Sequence, residues 1–112
     1  MSISCEISWE KSASLLQQCK ISSTLLFIES TLKKDTFIFL TGTVAEVSRA
    51  SRSVTFTLDS GELRTFEFAS AQSFTLFAGT SGRWELLVSL GGEDRVSFTT
   101  KRADVDEPPP SP

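Results

Sequence analysis

Between Val54 and Phe98 the chain reads VTFTLDSGELRTFEFASAQSFTLFAGTSGRWELLVSLGGEDRVSF, and the prediction of the fold rests mainly on this segment. Apolar side chains return at every second position in short runs, which are separated by turn-forming segments such as Asp59-Ser60-Gly61 and Gly91-Gly92-Glu93-Asp94. Successive side chains on a strand point to opposite faces, so the alternation places an apolar face inward and a Ser/Thr-rich face outward. The stretch therefore predicts an antiparallel β-meander.

Upstream of the meander, the N-terminal segment predicts a strand followed by a short helix. Apolar residues alternate with polar ones from Ile3 to Trp9, and Ser8 is a suitable N-cap. A helix near residues 10–20 would bury one face, formed by Leu15, Leu16 and Cys19. The apolar run at residues 24–28 is compatible with a strand or with an extension of the helix.

Two apolar runs with a Lys-rich connection, residues 24–28 and 36–40, suggest a hairpin. The second run has apolar side chains at consecutive positions from Phe37 to Leu40, which predicts a strand covered on both faces. Gly42 follows inside the same run and predicts a bulge or sharp bend at the corner of a small barrel.

Together these patterns predict an all-β fold with one short helix, an antiparallel meander of about six to eight strands closed into a small barrel or a two-layer sandwich. Short glycine-containing turns favour pairing between strands that are neighbours in the chain. Residues 1–101 form a single β domain. We expect the acidic, proline-rich residues 102–112 to form a disordered tail, because proline neither donates to a sheet nor continues a helix.

Composition excludes several classes of protein. With 39% hydrophobic and 22% charged residues, the chain has the balance of a soluble globular domain. A net charge of −3 disfavours nucleic acid as a partner, because that affinity comes from neutralising phosphates. No secretory signal or membrane span is evident, so we expect a cytoplasmic protein. Cys5 and Cys19 then pack as reduced thiols, with a single bridge between them as the alternative.

The sequence offers few candidate catalytic residues. The chain contains no histidine, the commonest general base near neutral pH and the commonest neutral metal ligand. A pair chosen from Glu62, Glu67 and Glu85 could still catalyse as acid and base if two of them shared a cavity. The carboxylates at Asp104, Asp106 and Glu107 lack the frame of a calcium loop. We therefore predict no catalytic residue, no metal and no cofactor.

Candidate ligand-binding residues lie in one loop and at the head of one strand. Arg49 and Arg52 stand among serines in a loop that could hold a phosphate or carboxylate, or could be an ordinary solvated hairpin tip. Trp84 and Trp9 could stack on a base, sugar or peptide, but both are in phase with apolar neighbours and favour core packing.

These observations predict a non-catalytic binding or scaffolding domain whose partner is another protein or a second copy of itself, met through a strand edge or barrel face. The first alternative is a small-molecule or cyclic-nucleotide binder with a barrel mouth lined by Arg49 and Arg52, which would take an anionic ligand. The second alternative is a carboxylate-based hydrolase or isomerase.

Overall fold

A computed structural model of the chain describes residues 3–32, 36–78 and 83–100. In chain order the elements are β1 (Ile3–Ile7), α1 (Trp9–Ser22), β2 (Leu25–Leu32), β3 (Thr36–Ser48), β4 (Ser53–Leu58), β5 (Leu63–Glu67), β6 (Ser73–Ala78), β7 (Trp84–Gly91) and β8 (Asp94–Thr100). The prediction of a mainly β protein with one N-terminal helix is confirmed.

The eight strands form one antiparallel sheet in the order β1-β6-β7-β8-β2-β3-β4-β5. Two meanders, β2 to β5 and β6 to β8, are joined where β8 pairs with β2. The expectation that strands joined by short turns pair with each other is wrong between β5 and β6, which do not pair. The first strand, β1, is followed by the helix and pairs with β6. Within the described residues the sheet is not closed into a barrel, and β1 and β5 are its two edges.

The sheet is strongly curved around its core. Phe56 on β4 and Phe98 on β8 stack with ring centroids 5.3 Å apart. In a flat sheet, side chains three strands apart would be separated by about 14 Å, because neighbouring strands lie about 4.8 Å apart. Twist and coiling of the strands must therefore bring these two parts of the inner face together.

Helix α1 lies against the sheet next to this curved core. The side chain of Ser8 accepts a hydrogen bond from the Lys11 backbone N–H, as predicted for the N-cap, and Ser23 ends the helix in a left-handed conformation. The helix packs against β3. Its buried residues have a spacing of three or four along one face, and they are Trp9, Ser12, Ala13, Leu16 and Cys19.

The apolar run at residues 24–28 is a strand. Leu25 starts β2, which pairs with β3 on one side and with β8 on the other, so the run does not extend the helix. The predicted hairpin between this run and the next is confirmed.

The bulge expected at Gly42 lies elsewhere. Gly42 pairs regularly with Leu26 and Leu58, and the register of β3 against β4 shifts between Val44 and Glu46. A Cβ atom at position 42 would lie 2.5 Å from the carbonyl oxygen of Thr57. Glycine is needed there because two backbones approach closely, which is a different reason from the bend that the sequence suggested.

Both cysteines are free thiols, Cys5 exposed and Cys19 buried. Burial raises the pKa of the Cys19 thiol to about 11. In the described part of the chain, no helix has the length and apolar character to cross a membrane. The predicted tail, residues 102–112, lies outside the described residues.

Candidate functional site

Arg49 supports the fold in this structure. It lies in the turn between β3 and β4, and its guanidinium donates hydrogen bonds to the carbonyl oxygen of Glu10 at 3.4 Å and to Oγ of Ser14 at 3.1 Å. Its own carbonyl oxygen accepts a hydrogen bond from the indole N–H of Trp9 at 3.2 Å. These three contacts tie the hairpin to the helix, so the guanidinium already has partners.

Arg52 and Trp84 are not brought together. Arg52 is exposed in the same turn as Arg49, with a left-handed φ of 54°, and its carbonyl oxygen accepts from the Phe68 N–H at 2.7 Å. Trp84 is half-buried against the core. It pairs with Ala78, which pairs with Ile3 at the end of β1 that lies away from Trp9 and Arg49.

The three candidate carboxylates are also dispersed. Glu62 precedes β5 and Glu67 ends it, whereas Glu85 lies on β7, five strands away in the sheet. Among the described residues no carboxylate is buried, and no three potential metal ligands cluster. The carboxylates Asp104, Asp106 and Glu107 lie outside the described residues.

One depression lies on the outer face of the sheet, and we call it the outer-face trough. Residues that pair directly across strands point to the same face, so the register defines its rows. One row runs Phe39, Glu29, Ser97, Leu87 across β3, β2, β8 and β7, and the row beside it runs Phe37, Thr31, Arg95. The trough is a cavity of about 300 Å³ lined by Glu29, Thr31, Phe37, Phe77, Glu85, Leu87, Arg95 and Ser97.

The depth of the trough follows from residue size. Ser97 is a small residue at the centre of β8, and long or bulky side chains from β2, β3, β6 and β7 surround it. The twist of the sheet adds to the depression, because a twisted sheet is concave along one diagonal of each face. Glu29 and Glu85 lie two strands and two residues apart, about 12 Å between Cα atoms, on either side of Ser97.

The trough continues into an exposed aromatic surface. Phe37 is 62% exposed and Phe39 is 54% exposed, and the Phe39 ring lies 6.0 Å from that of Phe27 on β2. The prediction that this part of β3 is covered on both faces is therefore wrong: no described residue covers its outer face, whereas on the inner face Ile38 and Leu40 are half-buried. In the described residues, positions 36–40 of β3 pair only with β2, because the β4 ladder begins at Gly42.

A second depression, the edge groove, separates the helix from β1. It has a volume of about 410 Å³ and a mainly apolar lining: Cys5, Ile7, Lys11, Ser14, Leu15, Gln18 and Leu76. Cys5 pairs with Leu76 and Ile7 pairs with Phe74, so both side chains point to the inner face of the sheet. Cys5 is nevertheless exposed, because the helix covers the sheet nearer β3 and leaves this edge open.

Sequence reasoning missed both depressions for one physical reason. Phe37 belongs to a run of consecutive apolar residues and Cys5 to an apolar alternation, both typical of buried faces, and only the strand order and the position of the helix leave them exposed. The consecutive apolar residues at 37–40 did indicate two apolar faces, but not which one would be covered.

Comparison with known proteins does not identify a family: no protein-family model, no curated protein and no solved structure matches this chain.

Proposed function

We propose that this protein is a non-catalytic interaction module that binds another protein through the outer-face trough and the adjacent ring of Phe39. The observation that carries the proposal is the exposure of Phe37 and Phe39, 62% and 54%, on the outer face of β3. Exposed aromatic surface beside a polar rim is typical of protein-binding sites, because aromatic anchors supply most of the binding energy.

The charged residues of the trough suit such a role. The side chains of Glu29, Glu85 and Arg95 lie around Ser97 and Leu87, and they make no hydrogen bond or ion pair with another described residue. Charges at a rim contribute more to orientation and partner choice than to affinity. The rim would thus favour one docking orientation, while the phenylalanines supply the buried area.

Curvature of the sheet supports a finer description of the scaffold. We propose that the domain behaves as a barrel-like shell whose open side is filled by α1 instead of by hydrogen bonds between β1 and β5. The stacking of Phe56 on Phe98 and the packing of Trp9 against Phe68, with centroids 6.2 Å apart, support this description. A rigid scaffold of this kind would hold the trough in one shape. A cytoplasmic location remains part of the proposal and is compatible with two free thiols.

The two alternatives have less support. A small anionic ligand held by Arg49 and Arg52 would have to share the Arg49 guanidinium with the helix, because that group already donates to Glu10 and Ser14. A carboxylate-based hydrolase or isomerase would need two carboxylates around one cavity; Glu29 and Glu85 both line the trough, but neither is buried, and no three potential metal ligands cluster among the described residues.

The proposal can be tested by photocrosslinking in the native cell. A benzoylphenylalanine replaces Phe39 in one version of the chain and Leu63 in another; Leu63 is 64% exposed on β5, so it is a matched control. We expect a defined protein adduct from position 39 and none from position 63.

The captured partner is then purified and its affinity measured by calorimetry. Phe37→Ser and Phe39→Ser should each weaken binding about 30-fold, because an aromatic anchor contributes about 2 kcal/mol or more. Leu63→Ser should change the affinity by less than about twofold. Equal effects at positions 39 and 63, or no effect of either phenylalanine, would overturn the proposal.

A further inference from the structure

At the edge groove, none of the described residues covers part of the inner face of the sheet. Cys5, Ile7 and Leu76 point to the inner side, yet Cys5 is exposed and the other two are only half-buried. Leu15 on the helix, also half-buried, faces the same groove. An apolar inner face normally lies in contact with another element, so the groove has the chemistry of an unfilled contact.

The strand beside the groove is an open edge. In the described residues β1 pairs only with β6, so one row of its backbone N–H and C=O groups faces outward. It carries no proline and no lysine, which are common devices against edge pairing. A strand added here would send alternate side chains into the groove and its other side chains to the outer face.

The sequence of β1 itself meets these requirements. Ile-Ser-Cys-Glu-Ile alternates apolar and polar residues in the pattern that an added strand needs. When two copies pair antiparallel about a two-fold axis at Cys5, Ile3 of one lies opposite Ile7 of the other, and Ser4 lies opposite Glu6. No like charges face each other across this register.

The helices are compatible with the same axis. Lys11, Ser14, Leu15 and Gln18 form one face of α1 at spacings of three and four residues, and this face lines the groove. A two-fold axis perpendicular to the sheet puts both helices on the inner side and joins the two grooves. It brings the Lys11 end of one groove to the Gln18 end of the other, so the two lysines stay apart.

We infer that the occupant of the edge groove is a second copy of this chain, which pairs β1 with β1 antiparallel and makes one continuous sheet through both protomers. The contact is isologous and closes on itself, as in a two-fold dimer. It uses the opposite face of the sheet from the outer-face trough, so each protomer of the dimer keeps its trough accessible.

The first test is sedimentation of the full chain in reductant, from about 10 to about 500 µM, because a short strand pair gives a weak, concentration-dependent dimer. Cys5→Lys and Leu15→Lys each place a charge in the joined groove and should shift the dimer to monomer by at least about tenfold in dissociation constant. Leu63→Lys on the other sheet edge is the matched control and should leave association unchanged. Circular dichroism checks that each variant is folded.

A second test uses the thiol at the two-fold axis. Opposed residues in an antiparallel pair lie close enough for a disulfide, so the azo oxidant diamide, which takes up the two thiol hydrogens, should trap a covalent Cys5–Cys5 dimer at concentrations where the chain associates. Cys5→Ser should give none, because Cys19 is buried. A chain that stays monomeric at every concentration would overturn the inference, and the groove would then fit an extended segment of another protein. A dimer that Leu63→Lys or Phe39→Ser abolishes while Cys5→Lys does not would also overturn it.

Discussion

Truncation of Phe56 should remove the centre of the core. Its side chain is fully buried, and its ring stacks on Phe98 at 5.3 Å and meets the edge of Phe66 at 5.7 Å. Replacing a buried Phe by Ala costs about 3 to 5 kcal/mol, and aromatic pairs contribute about 0.5 to 1.5 kcal/mol of such a loss. Because two ring contacts are lost, we expect Phe56→Ala to lower the free energy of unfolding by about 4 kcal/mol.

Urea denaturation followed by circular dichroism measures this loss. With an m-value of about 1.5 kcal/mol per molar urea, the midpoint should fall by roughly 2.5 M. The matched control is Phe37→Ala, an equal truncation at a residue that is 62% exposed, which should cost about 0.5 kcal/mol or less. Equal losses from the two substitutions would refute the assignment of the core.

The same residues test the curvature of the sheet. Phe98→Ala and the double variant complete a thermodynamic cycle with Phe56→Ala, and residues in direct ring contact should show a coupling energy of about 1 kcal/mol. Phe56 and Phe98 lie three strands apart in the sheet, so a coupling near zero would mean that the sheet is flatter than the structure has it.

Three further outcomes follow from individual residues. The pKa of Cys19 is raised from 9.0 to about 11, so between these pH values the folded chain keeps a proton that the unfolded chain has released. The free energy of unfolding should therefore fall between about pH 9 and 11 by roughly 1 to 2 kcal/mol more in the wild type than in Cys19→Ala. Parallel pH profiles of the two proteins would contradict this. Gly42→Ala puts a Cβ 2.5 Å from the Thr57 carbonyl oxygen and should lower the free energy of unfolding, measured by urea denaturation, by about 1 to 3 kcal/mol. Gly61→Ala is the comparison: it has open space around the new Cβ but a φ of 92°, so it measures the cost of backbone strain alone. Deletion of Pro108 to Pro112 should leave the thermal midpoint unchanged, and a large drop in a calorimetric scan would show that the tail docks.

The sequence by itself determined the elements and the inward face of most strands. Alternation with a period of two is a local property of a strand. It correctly predicted that Phe56, Leu86 and Phe98 point inward, and all three are fully buried. The N-cap at Ser8 and the helix after it are equally local, because the capping hydrogen bond spans three residues.

Only the tertiary structure decided the order of the strands, the uncovered surfaces and the role of Arg49. β1 pairs with β6 across about 70 residues of chain, and Trp9 donates to Arg49 across 40 positions. Such contacts depend on how the whole sheet curves and on where the helix lies across it. Similar apolar patterns therefore place Phe56 in the core, Phe39 on an exposed face and Cys5 at an exposed edge, because burial is set by what covers a face and not by the residues that form it.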